Sequence, residues 1–270
     1  MRLLLDAGEG INCFLEGRLL AFRNVAITHA HTDHFTGLQN ILITRLRERE
    51  VTGSSMPPLY VYYPEDSSTL ERYFAYLSDV IDAWHELVCL QPMKPGDCLP
   101  LQGVRNLYLT AIRAKHQVGH QCSLSYRIEQ KRWSLRQDVQ DKPQAEINKI
   151  IAMHGRESVT DVIMRPLVYY SGDGSPLYDP VSQNTYLHIQ EATFLESLPG
   201  VDHASLPEAI DLFRKLQAQS LLLCHLSTRY GLKEFLDLLE QLTPDPAEHS
   251  KIWVVKPGNM FIKHIPMPGF

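Results

Sequence analysis

Ten residues constrain this chain more than any others: Val25-Ala26-Ile27-Thr28-His29-Ala30-His31-Thr32-Asp33-His34. A short β-branched, apolar run reads as a strand that stops at Thr28. It delivers three histidines and an aspartate within six positions, in a chain with only 12 histidines among 270 residues. Histidines two apart on an extended loop can face one metal, while the adjacent pair Asp33-His34 turns toward a second. A polar turn rich in histidine by accident is the plainer reading. The spacing follows ligand chemistry rather than polarity.

Composition narrows what can surround such a loop. A chain of this length buries one sizeable core, and 44% hydrophobic with 21% charged residues is ordinary for a globular protein. No apolar run approaches the roughly 20 residues that span a bilayer. An acid as early as Asp6 argues against a signal peptide, so a cytoplasmic protein is expected. The five cysteines (Cys13, Cys89, Cys98, Cys122 and Cys224) are scattered and form no Cys-x-x-Cys pair. That suits free thiols and argues against a cysteine zinc knuckle. A net charge of −5 gives no global attraction to nucleic acid, so RNA contact would need a local basic patch.

Along the chain, Leu3–Leu5 reads as a buried strand. Residues 11–15 and 18–22 alternate about Glu16-Gly17, which suggests a hairpin. Leu38, Ile41, Leu42 and Leu46 have the spacing of an amphipathic helix within residues 35–48. Strands are expected at 59–63, 86–91, 104–114, 122–129, 167–170, 186–189, 220–224 and 252–255. Helices are expected at 67–80, 145–154, 206–216 and 232–242, and 131–158 is the least regular part. Periodicity alone supports a mixed α/β protein.

A second metal position needs ligands beyond the first loop, each just past a strand end. His116 follows the strand over 104–114, Asp173 sits in Ser171-Gly172-Asp173-Gly174, and His225 ends Leu221-Leu222-Leu223-Cys224. Singly each is weak, since a lone His after a strand is more often structural; the ordered set is strong. His120 rivals His116.

His-x-His-x-Asp-His after an apolar strand resembles the metallo-β-lactamase fold, and Thr28-His29-Ala30-His31-Thr32-Asp33-His34-Phe35-Thr36-Gly37-Leu38 resembles its ribonuclease Z branch. Leu5-Asp6-Ala7-Gly8-Glu9-Gly10, Glu191-Ala192-Thr193-Phe194-Leu195, Asp202-His203-Ala204-Ser205 and His225-Leu226-Ser227-Thr228-Arg229-Tyr230 are similar to further segments of that family. The matches run from about Leu4 to Tyr230 and are nearest the short form. His116-Gln117-Val118 resembles the family's His-x-Val, which favours His116 over His120. The chain departs from the pattern in three ways. Gly174 stands where Thr is usual, the chain begins almost at the Asp6 motif, and no Gly/Pro-rich arm lies between His116 and Asp173. In the arm's place, 131–165 reads as helical and moderately basic.

The resemblance implies an α/β, four-layer αββα metallo-β-lactamase sandwich, with 1–270 as a single domain and a family-specific insertion at about 131–165. It implies two zinc ions, with manganese or iron as alternatives. His29, His31 and His116 would hold one; Asp33, His34 and His225 the other; Asp173 would bridge. Asp33 would serve as general base, and His203, held by Glu191, would assist the leaving oxygen. The plainer reading of His203 is a capping or surface histidine. The implied function is a dinuclear metal-dependent phosphodiesterase that processes precursor tRNA 3′ ends, as a homodimer. The alternatives are a small phosphodiester, thioester or lactone as substrate, and a non-catalytic subunit that keeps the fold.

Other candidates divide evenly or toward structure. Arg229 and Tyr230 either contact substrate phosphate or anchor the loop below His225. Lys131, Arg132 and Arg136 are candidate RNA-facing charges, whereas Arg45, Arg47 and Arg49 read as a solvated helix face. His85, His154, His188, His249 and His264 read as structural or solvated, and Cys224 as a buried thiol.

Overall fold

The computed structural model describes residues 2–53, 55–116, 119 and 121–255. Its first sheet is wholly parallel, in the order β1 (Leu3–Leu5), β2 (Asn24–Ala26), β3 (Leu59–Pro64), β4 (Val88–Met93). The second has the order β11 (Ile252–Val254), β10 (Ser220–Cys224), β9 (Leu187–Glu191), β8 (Thr160–Tyr170), β7 (Leu124–Leu135), β6 (Leu107–Arg113), β5 (Cys98–Pro100). Successive side chains of a strand point to opposite faces, so each strand feeds two layers. Val25 and Val61 pack under the helices α3 (Leu38–Thr52) and α4 (Ser68–Val80), while Ala26 and Tyr62 join Leu109, Tyr126 and Ile128 between the sheets. On the far side, α8 (Leu206–Leu216) and α9 (Leu232–Leu242) bury Ile210, Phe213, Phe235 and Leu239 against Leu221 and Leu223. The result is the four-layer αββα sandwich.

Strand direction sets where the chemistry sits. β6 and β8 are both antiparallel to β7, and β8, β9 and β10 are mutually parallel, so all four run the same way. Their C-terminal ends therefore open on one edge, carrying His116, Asp173, Glu191 and His225. The loop after β2 meets them there. In open sheets of this kind, ligands bind outside the carboxyl ends of strands.

Three expectations need correction. The hairpin over 11–22 is absent; the segment is a short helix, α1 (Ile11–Leu15), running into a 3₁₀ stretch, Glu16–Ala21. Ile11, Leu15 and Leu19 recur every four residues and pack on the core below α3, so helical spacing prevails over the apparent alternation. Arg45 is not solvated: it is 1% exposed, and its guanidinium donates to the carbonyls of Phe22 and Pro57. It shares a stripe with Leu38, Ile41 and Leu42 and ties α3 to the strand-flanking loops. Arg49 instead pairs with Glu86.

The third correction concerns 131–165. Strands β7 and β8 run on past β6, which reaches only Gln130, and pair with each other from Lys131↔Met164 to Leu135↔Thr160. The extension ends in α6 (Gln137–Gln140) and α7 (Gln144–His154), whose Ile147 packs with Val139 and Val159 in a small core of its own. A rise of about 3.3 Å per residue over β8 places this tip some 30 Å from Asp173. Arg136 is engaged by Asp138, Lys131 lies 5.6 Å over the Trp133 ring, and Arg132 is exposed.

Close backbone contact explains two glycines flanking the histidine loop. A Cβ on Gly37 would stand 2.1 Å from the Gly8 carbonyl oxygen, and one on Gly8 2.1 Å from that of Asp33. Ala7 N–H donates to His34 O and Gly37 N–H to Ala7 O, so these turns are stitched together with no room between them. Gly37→Ala is expected to cost about 1–3 kcal/mol, the scale of overpacking. Gly17→Ala, with open space around it, is the control and should leave the urea midpoint within error. Equal midpoints for the two variants would refute the packing argument.

Candidate metal centre

Seven side chains from four separate stretches of the sequence converge at the strand ends. His31 caps α2 (Thr32–Phe35), so Asp33 and His34 sit in that helix's first turn. His29 is fully buried in the loop before it. His116 leaves β6, Asp173 leaves β8, and His225 leaves β10 with a positive φ of 55°. All seven sequence candidates are brought together; the neighbouring rival His120 lies outside the described residues, as do Gln117, Val118 and His264.

Their donor atoms form two clusters. His31 Nδ1 lies 3.0 Å from His29 Nε2 and 3.4 Å from His116 Nε2. Asp173 Oδ2 lies 3.3 Å from His34 Nε2 and 3.2 Å from His225 Nε2, with Asp33 Oδ2 3.7 Å from His34 Nε2. Ligands about 2.0–2.1 Å from a tetrahedral ion are separated by about 3.3–3.4 Å, so these edges fit a metal of zinc's size.

Hydrogen bonds behind the rings fix which nitrogens face inward. The Thr28 hydroxyl donates to Asp6, 2.9 Å away, and so accepts from His29 Nδ1–H at 2.9 Å. His34 Nδ1–H donates to Asp6 Oδ2 at 2.9 Å, and His116 Nδ1–H to the Asp202 carbonyl at 3.0 Å. The Thr193 hydroxyl donates to Glu191, which leaves it to accept from His225 Nδ1–H at 2.9 Å. Each network turns an Nε2 into the site. Orienting partners of this kind are what metal-binding histidines require.

Burial and mutual contact shift the ionisation of these groups. Burial disfavours a charge on His34, yet hydrogen bonds to Asp173 and Asp6 push it up to about 11. Burial would likewise raise Asp173, but the His34 hydrogen bond and the His225 charge hold it well below the usual carboxylate range. Burial, then the His34 charge, pushes His29 far down. Buried imidazoles kept from protonating beside an ionised carboxylate are a donor set that a divalent metal satisfies.

Beside the cluster, His203 Nδ1 is 2.8 Å from Glu191 Oε2, and its ring stacks on His225 at 5.5 Å and 8°. The Glu191 hydrogen bond raises His203 above its ordinary pKa against the effect of burial. Glu191 is fully buried and also accepts from Gly174 N–H, which ties this pair to the Asp173 loop. Ser205, rather than His203, caps α8 through a reciprocal pair with Glu208, so the capping reading of His203 falls away.

Several supporting residues were not singled out from sequence. Asp6, held at φ 58°, accepts from Thr28 N–H at 2.7 Å, from Tyr170 Oη at 2.7 Å, and from His34. Asp6, Thr28 and Thr193 lay within family-like segments that gave no orienting role, and Tyr170 gave no signal. Arg229 and Tyr230 follow His225 in a turn, and the Arg229 side chain is exposed. Cys224 Sγ donates to Gln190 O, and burial pushes its thiol up.

A family profile described as a β-lactamase superfamily domain matches residues 1–226. Ribonuclease Z of Pyrococcus horikoshii is 28% identical over 294 positions, covering 97% of this chain and 89% of that protein. A tRNase Z of Arabidopsis thaliana is 26% identical, covering 81% of this chain and 77% of that protein. Among solved structures, human short-form tRNase Z superposes with a TM-score of 0.61 at 17% identity, over 98% of this chain and 88% of that one. The metallo-β-lactamase fold protein YhfI of Bacillus subtilis gives 0.65 at 18% identity, over 95% and 85%. Profile, architecture and ligand geometry agree: this chain belongs to the β-lactamase superfamily, with the metallo-β-lactamase fold.

Proposed function

We propose that the chain is a dinuclear, metal-dependent endoribonuclease that removes 3′ trailers from precursor tRNA, a reading supported by relatives named ribonuclease Z and tRNase Z. The observation that carries the reading is the convergence of all seven candidate ligands beside His203, which buried Glu191 holds. In this reading His29, His31 and His116 would hold one zinc and Asp33, His34 and His225 the other, with Asp173 available to both. Bound there, two such ions would lower the pKa of a water and offset charge building on a phosphate. The Asp33 side chain is 57% exposed and so is open to accept a proton from attacking water. His203 gives its Nε2 proton to the departing ribose 3′ oxygen, with Glu191 fixing the ring and stabilising its charge.

The same reading treats 1–270 as a single metallo-β-lactamase-like unit, with 131–165 as an insertion bearing the exposed cation Arg132. Homodimerisation and a cytoplasmic setting go with it; no helix among the described residues is long and apolar enough to cross a membrane.

The test is cleavage of a labelled precursor tRNA alongside bis(p-nitrophenyl) phosphate, using zinc- or manganese-loaded protein. Cleavage after the discriminator base, lost in His31→Ala and weakened by salt, is the expected result. Turnover of the small diester alone would move the substrate to a small phosphodiester. Turnover of neither by protein carrying two metals would favour a thioester or lactone hydrolase.

A further inference from the structure

Three cavities join end to end along the edge where the strands deliver the ligands. One of about 420 Å³ opens between Glu65, Lys94 and Arg113. It shares Arg113, Gln121 and Cys122 with a second of about 540 Å³ that passes His116 and Asp202. The second shares Lys115 and Ser175 with a third of about 340 Å³, bounded by Tyr178 and Lys215. Their shared lining residues string them along one path that passes His116, the one metal-site residue that lines them. An elongated open path suits a chain.

The charges along the groove are unequally compensated. Glu65 is paired with Lys94, Glu208 is spent on Ser205 and Ser197, and Asp211 lies 3.9 Å from Arg214, while Asp66 and Asp202 also line the groove without an ion pair to Arg113 or Lys115. Arg113 is exposed, and its guanidinium reaches only the Cys122 sulfur at 3.7 Å, with no carboxylate partner among the described residues. Lys115 is also exposed and likewise has no acidic partner among them. Its backbone is fixed: Lys115 O accepts from Ser175 N–H at 2.9 Å, and a Cβ on Gly174 would stand 2.7 Å from that oxygen. A lysine whose main chain is clamped to the Asp173 loop is placed to hold something at the metals. Two residues apart on extended backbone, Arg113 and Lys115 project from points about 6.6 Å apart, close to one nucleotide step of an extended strand.

We propose that Arg113 and Lys115 form a phosphate rail that holds successive phosphates of a single RNA strand where it enters the metal centre past His116. This rests on the ribonuclease reading above and adds the residues that position the strand. Arg113 offers a planar fork for phosphate oxygens and Lys115 a point charge, and neither must break an ion pair to bind. The exposed Tyr178 ring at the far end gives a base a face to stack on.

The experiment compares the metal-loaded full-length chain with the Arg113→Ala/Lys115→Ala double variant, after matched metal content and melting temperature confirm folding. On precursor tRNA, KM should rise roughly tenfold or more while kcat changes little. The slope of log(kcat/KM) against log salt should flatten by about 1.4, at about 0.7 per single-strand phosphate contact. Turnover of bis(p-nitrophenyl) phosphate, which offers one phosphate only, should fall several-fold less. Arg113→Lys should restore part of the salt slope. An unchanged KM and slope, or equal losses on both substrates, would overturn the rail. A single-stranded RNA oligonucleotide, followed by fluorescence anisotropy, separates this idea from its premise. Oligonucleotide binding lost in the double variant, with precursor tRNA left uncut by the parent, would sink the tRNA reading and keep the rail. No binding by the parent would sink the rail.

Discussion

Asp173→Ala should yield folded protein that retains neither metal and hydrolyses bis(p-nitrophenyl) phosphate at least about 10³-fold more slowly, the scale of several kcal/mol of lost transition-state stabilisation. The expectation follows from one oxygen. Asp173 Oδ2 is within 3.3 Å of both His34 Nε2 and His225 Nε2, and the carboxyl group is 5% exposed. No other carboxylate of the site is both this buried and this central: Asp33 is half-exposed, and Asp6 and Glu191 are occupied behind the rings. Removing it leaves five imidazoles and the half-exposed Asp33, with little charge to hold cations among them. Metal binding selects the folded state, so zinc should raise the melting temperature of the parent and leave that of the variant unmoved. Metal content by mass spectrometry gives the direct reading. Two metals per chain with near-parental turnover would show that the bridge is not Asp173. Asp173→Asn should fall between, since the amide oxygen remains but the charge does not.

Local spacing made one half of this site legible and topology the other. The loop from His29 to His34 announces itself because its ligands are neighbours in sequence. His116, Asp173 and His225 could be read only as residues that end strands; that those strands run in one direction is a property of the sheet. The orienting residues were less accessible still. Tyr170 reaches Asp6 across 164 residues, and no periodicity marks either as partner of the other. The errors have physical causes of the same kind. Residues 11–22 satisfy a two-residue and a four-residue spacing at once, and packing under α3 decides between them. Arg45 lay in a run of charges, but its position three residues beyond Leu42 and four beyond Ile41 put it on the buried stripe. The outer rungs of β7 and β8 touch no third strand, so no buried face imposes alternation on their sequence. They read as irregular although they are regular in structure.

His203→Ala should separate two substrates that the metals alone would treat alike. Loss of a positioned proton donor costs about 10²–10⁴-fold where the leaving group needs the proton. A ribose 3′ alkoxide needs it; p-nitrophenolate leaves as a stable anion. Cleavage of precursor tRNA by the variant is therefore expected to drop by that factor in kcat, with bis(p-nitrophenyl) phosphate affected only several-fold. The structure supplies the reason to expect a donor here rather than a bystander. His203 is half-buried, Glu191 Oε2 holds its Nδ1 at 2.8 Å, and stacking on His225 sets its far edge beside the clustered ligands. Glu191→Gln tests the same pair from behind: the amide can still orient the ring but no longer stabilises its charge, so the loss on RNA should be smaller than for His203→Ala and in the same direction. Thr193 and Gly174 also bond to Glu191, so metal content must be shown unchanged before kinetics are compared. Equal losses on both substrates, at full metal occupancy, would make His203 a support for His225 and return the proton to some other group.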